Sequence, residues 1–96
     1  MKLAEFLLKL TSLGVGVFMY SSDGEFWTII LRYEAYRIKT ILSKYYLYDT
    51  DLSVDDGLLI AIKTCAEDLS NLLTVSKIPS NNEAGQRVKA LLSKED

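Results

Sequence analysis

The chain has no histidine among its 96 residues. That removes the commonest general base, the commonest zinc ligand and the usual physiological pH switch. Cys65 is the only cysteine, so neither an intramolecular disulfide nor a multi-cysteine metal site is possible, and a reducing, cytoplasmic setting is expected. A single proline and five glycines are too few for a low-complexity or disordered chain. Long uncharged apolar runs are also missing. In the opening MKLAEFLLKLTSLGVGVFMYSS, Glu5 and Lys9 interrupt the apolar pattern, and the uncharged stretch runs only from Leu10 to Ser22. No small-residue cleavage site follows, so neither a cleaved signal peptide nor a membrane span is expected.

What is present is ordinary in amount and uneven in placement. Hydrophobic residues make up 49% and charged residues 25%, the proportions of a soluble globular chain, and the length suits one core, giving a single domain over 1–96. The net charge of −2 divides into about +2 over residues 1–48 and −4 over residues 49–96. This dipolar pattern favours packing of the halves or contact with a protein, self or foreign, over the broad basic field of a nonspecific nucleic-acid binder.

Turn-forming residues cluster at 21–25, 48–57 and 77–85 and leave four segments. In the first, Leu3, Phe6, Leu7, Leu10, Leu13 and Val17 recur at helical spacing, with Gly14 and Gly16 as points of weakness. The second opens on the capping-box pattern Ser22 to Glu25. On a helical wheel its apolar residues fall on two adjoining faces, Trp27, Ile30, Leu31, Ile38, Ile41, Leu42 and Tyr45 on one, Phe26, Ile29, Tyr33, Tyr36 and Leu47 on the other. The third carries a clean amphipathic stripe including Leu58, Ile62, Cys65, Leu69 and Leu73. The fourth follows Pro79 with the capping pattern Ser80 to Glu83. The expected fold is therefore all-α, a small antiparallel four-helix bundle with helices at about 2–20, 24–47, 54–75 and 81–93.

The acidic stretch Asp49 to Asp56 is the first candidate site. Its odd spacing suggests a calcium loop, but the sixth and twelfth positions hold Val54 and Ile60 where glycine and glutamate are required. Asp49-Thr50-Asp51-Leu52-Ser53 also resembles the DxDx[TSV] opening of haloacid-dehalogenase-type phosphatases, yet the chain lacks the length and the strand-helix alternation of that α/β family. Helix capping accounts for Ser53, Asp55 and Asp56. Asp49 and Asp51 are left as a helix terminator and an acidic contact surface. Glu34 projects into the apolar face of the second helix, where a pair with Arg37 or snorkelling at the helix seam is expected, a buried carboxylate being the alternative. Cys65 lies within an apolar stripe and is expected to be a small buried hydrophobe.

Five tyrosines within residues 33–48 are too many to bury in one small core, and tyrosine is a preferred hot-spot residue. The expected function is protein-protein interaction without catalysis, as a subunit, adaptor or inhibitor, through Ile29, Tyr33, Tyr36, Leu47 and Tyr48 of the second helix. Small immunity proteins and phage-encoded inhibitors share this size and helical form. A homodimer is one version, a foreign partner the other. No cofactor and no metal are expected. The alternative is a nucleic-acid-binding module using Arg32, Lys39 and Tyr46, weakened because Arg37 and Lys44 fall elsewhere on the wheel.

Overall fold

In the computed structural model, which describes residues 1–21 and 24–94, the chain is α+β. The elements run α1 (Leu3–Ser12), β1 (Gly16–Tyr20), β2 (Phe26–Tyr33), β3 (Tyr36–Ser43), α2 (Lys44–Thr50), α3 (Val54–Thr74) and α4 (Pro79–Ser93). The all-α bundle is overturned. The expected helix 2–20 is a ten-residue helix followed by a strand, and the expected helix 24–47 is two strands and a short helix.

Glycine placement explains the first break. Gly14 has φ of +87°, and its N–H donates to the Thr11 carbonyl while that of Val15 donates to Leu10, both at 3.0 Å. That pair of bonds is a Schellman terminus, which needs a left-handed residue and so favours glycine. Buried Val15 then carries the chain into β1.

The second break follows from side-chain type. Trp27, Thr28, Ile29, Ile30, Ile38, Thr40 and Ile41 are β-branched or aromatic and pack well on a pleated surface. The apolar residues that crowd two adjoining faces of a helical wheel are redistributed here over both sides of a hairpin and, for Tyr45 and Leu47, onto α2. In β2, Ile29 and Leu31 are fully buried beneath the sheet, while Arg32 is exposed on the other side. β1, β2 and β3 form an antiparallel meander in that order. A two-residue turn, Glu34–Ala35, joins β2 to β3, with Glu34 at φ of +53°. Glu34 is thus an exposed turn residue, not a carboxylate in an apolar seam paired with Arg37; the Arg32 side-chain Nε donates to its backbone carbonyl at 3.3 Å.

α3 lies beneath β2 and β3 and holds the core together, burying Leu58, Leu59, Ile62, Cys65, Ala66, Leu69 and Leu73. Each fully buried leucine or isoleucine of this kind contributes about 1.5–3 kcal/mol. Its start is as expected: the Ser53 Oγ accepts from the Asp56 N–H at 3.1 Å, with Asp55 and Asp56 in the first turn. The capping box at Ser80 is not formed. α4 begins at Pro79, whose fixed φ suits the first helical position, and its entry is held instead by asparagines. The Asn82 Nδ2 donates to the carbonyls of Leu73, Thr74 and Ser76, and the Tyr36 hydroxyl donates to Ser76 Oγ at 3.0 Å, tying sheet to helix turn. α1 covers the remaining end of the core with Phe6 and Leu10. The capping pattern at Ser22 lies outside the described residues. Among the described residues, no helix is long and apolar enough to cross a membrane.

Candidate functional site

All the packed helices lie under one side of the sheet, and the strand registers define the other. Gly16 pairs with Arg32 and Arg32 with Arg37; Phe18 pairs with Ile30 and Ile30 with Lys39; Tyr20 pairs with Thr28 and Thr28 with Ile41. Because side chains alternate with period two, these residues project from the face that α3 does not cover. Phe18, Tyr20 and Ile41 are 53%, 49% and 58% exposed. Phe26 extends the apolar half, Thr28 stands between Tyr20 and Ile41, and buried Ile30 stands between Phe18 and Lys39, where the apolar half meets the cationic one.

The same face has an opposite, cationic half. Arg32, Arg37 and Lys39 occupy adjacent positions there, all exposed, and none forms an ion pair among the described residues. Cross-strand neighbours lie about 4.5–5.5 Å apart between Cβ atoms, so the three charges share one local field. No carboxylate stands among the face residues of β1, β2 and β3. A chain of net charge −2 thus presents a basic, aromatic-rich surface on one side, with exposed Glu34 of the hairpin turn beside Arg32 at its margin.

The five residues expected to form a helical interface do not share a surface. Ile29 is in the core, Leu47 is buried on α2 against the core, and Tyr33 and Tyr36 are a half-buried pair beside the hairpin turn. Tyr48 alone is exposed, at 83%. The reason is parity: on a strand, Ile29, Tyr33 and Tyr36 face α3, away from solvent. Asp49 and Asp51 are exposed at the end of α2, and Asp51 terminates it with a left-handed φ of +56°. Among the described residues no group of three histidine, cysteine, aspartate or glutamate side chains is placed to hold a metal ion.

Of the nucleic-acid set, Arg32 and Lys39 come together on the open face and are joined by Arg37, which a helical wheel places apart from them. Tyr46 is separate. It sits on α2 beside a groove of about 370 Å³ between β3 and α3, lined by residues 40–43 and by Gly57, Ile60, Ala61 and Thr64. A second concavity, about 510 Å³, lies between Trp27 and the α2–α3 loop, with Lys44 Nζ 5.8 Å from the indole centroid. The Trp27 indole N–H is buried without an acceptor among the described residues.

Cys65 is buried and its thiol donates to the Ile38 carbonyl at 3.6 Å. Burial pushes its pKa up to about 11, with the Asp68 carboxylate acting in the same direction. A thiol held neutral in this way is a poor nucleophile.

Phe18, Tyr20 and Phe26 are absent from the expected interface. Their signal is alternation: Phe18 and Tyr20 are two apart, as are Thr28, Ile30 and Arg32, and Arg37, Lys39 and Ile41. No family model matches this chain, and neither a curated protein nor a solved structure matches it.

Proposed function

We propose that the chain is a non-enzymatic protein-binding module, a subunit, adaptor or inhibitor, whose docking surface is the open face of the sheet. One observation carries this reading: exposed Phe18, Tyr20 and Ile41 stand on the two cross-strand rows of buried Ile30 and its neighbour Thr28, and Arg32, Arg37 and Lys39 border them. Aromatic and arginine side chains around an apolar centre are the usual composition of binding hot spots. The cationic half selects a partner with acidic groups at the matching end. A cytoplasmic location belongs to the same proposal, since a single buried cysteine is compatible with a reducing compartment.

The test is affinity capture from the native host with wild type and with Phe18→Ser/Tyr20→Ser. Both positions are exposed, so the thermal midpoint should be unchanged while recovery of the specific partner falls by about tenfold or more. A partner retained by this double variant but lost with Tyr48→Ala would move the interface to α2 and reject the open face.

A second reading, single-stranded nucleic acid, is supported by the placement of Phe18 beside three cations, since bases stack on aromatic rings while phosphates meet arginine and lysine. It requires affinity for a labelled oligonucleotide that falls steeply with salt and disappears with Arg32→Ala/Lys39→Ala. Absent or salt-independent binding removes it.

A further inference from the structure

The open face ends at an unpaired strand edge. β3 has eight residues and, among the described residues, pairs only with β2. Tyr33 and Tyr36 flank the two-residue turn as a hydrogen-bonded pair, so by alternation Tyr36, Ile38, Thr40 and Leu42 bond to β2. The Lys44 N–H donating to the Glu25 carbonyl at 2.9 Å continues that series. The peptide groups of Arg37, Lys39 and Ile41 therefore point away from the sheet.

Natural proteins shorten, cover or charge such edges. Here Arg37 and Lys39 charge one end, whereas the other opens onto the groove between β3 and α3. Four consecutive residues, 40–43, line one wall, so the groove runs along the backbone and does not lie over a single face. Its opposite wall presents Ile60, Ala61 and Thr64, with Ile60 and Tyr46 exposed.

We infer that this edge takes an extended segment of a protein partner as a fourth strand, with acidic and apolar residues alternating along it. The inference rests on the protein-binding reading above and specifies how the partner docks. Backbone hydrogen bonds supply the pairing, and alternate side chains supply the selection. Those on the open-face side meet Arg37 and Lys39, which calls for carboxylates. Those on the other side meet Ile60, Ala61 and Thr64, which calls for small apolar groups. A second copy fits less well: pairing two β3 edges places two Arg37–Lys39 sets on one short ladder with no carboxylate between them.

The experiment titrates the isotope-labelled protein with two end-blocked synthetic peptides, one alternating aspartate with valine, the other lysine with valine, and follows amide exchange by NMR. The acidic peptide should slow exchange at the Lys39 and Ile41 amides by about tenfold or more, and the basic peptide should not. Thr64→Glu should weaken acidic-peptide binding by about tenfold, by filling the groove and repelling the carboxylates, whereas Leu8→Ser on the exposed side of α1 should leave it intact. Shifts at Phe18, Tyr20 and Ile30 without protection on β3 would overturn strand addition and keep the open face as the docking surface. Equal binding of both peptides, or binding of neither, would also overturn the inference. Edge protection that rises with protein concentration in the absence of peptide would assign the edge to a second copy instead. Failure of the protein-binding reading is seen separately, as a host partner indifferent to Phe18→Ser/Tyr20→Ser.

Discussion

Gly85 shows how closely α4 approaches α3. A Cβ at this position would stand 2.7 Å from Thr74 Cγ2 and 3.0 Å from both the Ser70 carbonyl oxygen and the Thr74 nitrogen. Two of these neighbours are helical backbone and cannot rotate away. Gly85→Ala should therefore destabilise the protein by about 1–3 kcal/mol, although alanine is the better helix former, and thermal unfolding should show a midpoint lower by several degrees. An unchanged or raised midpoint would mean that the two helices do not cross at this contact. Cys65 makes a pH prediction. Its thiol ionises at about 11 in the fold against 9.0 unperturbed, so above pH 9 the unfolded chain loses this proton more readily than the folded one. The contribution of Cys65 to stability is then constant at lower pH and is lost as pH rises from about 9 towards 11. Urea unfolding of wild type and Cys65→Ala across this window should show their difference shrinking as pH rises; parallel curves would contradict a buried, neutral thiol.

At the scale of elements, legibility depended on how many sides of a segment are buried. α3 packs along one stripe, so its periodicity is helical, and its start at Ser53 is marked by a side-chain cap. β2 and β3 are half-buried over much of their length, with Ile30 covered on the nominally open face. Their apolar residues therefore occupy both parities and imitate a broad helical face when projected at 100° per residue. The hairpin turn gave no warning, because Glu34 adopts the left-handed conformation usually signalled by glycine or asparagine. A signal was present at Gly14, which stands four residues beyond Leu10, the last apolar residue of α1, and marks a helix end better than a kink. The candidate site follows the same logic. The pair Arg32 and Lys39 was identifiable from residue type, whereas Phe18 and Tyr20 follow only from β1 being a strand, and the join with Arg37 only from the register.

At the scale of the molecule, the open face has no support of its own. The strands that carry it are held from beneath by α3, and α3 in turn contacts the sheet, α1 and α4. Phe6 and Leu10 of α1 are fully buried in the same cluster as Ile29, Leu31 and Leu69, so no second core exists among the described residues to hold the sheet if that cluster opens. Phe6→Ala should cost about 3–5 kcal/mol. Against a total stability of about 5–15 kcal/mol for a domain of ordinary size, that loss is felt everywhere at once. Helix content followed by far-ultraviolet circular dichroism and the environment of Trp27 followed by fluorescence should then unfold together in both wild type and variant, at a lower midpoint in the variant. Trp27 lies on β2, which makes it a reporter for the sheet rather than for α1. Loss of helical signal before any change at Trp27 would show instead that α1 detaches as a separate unit, leaving the sheet and its open face intact without it.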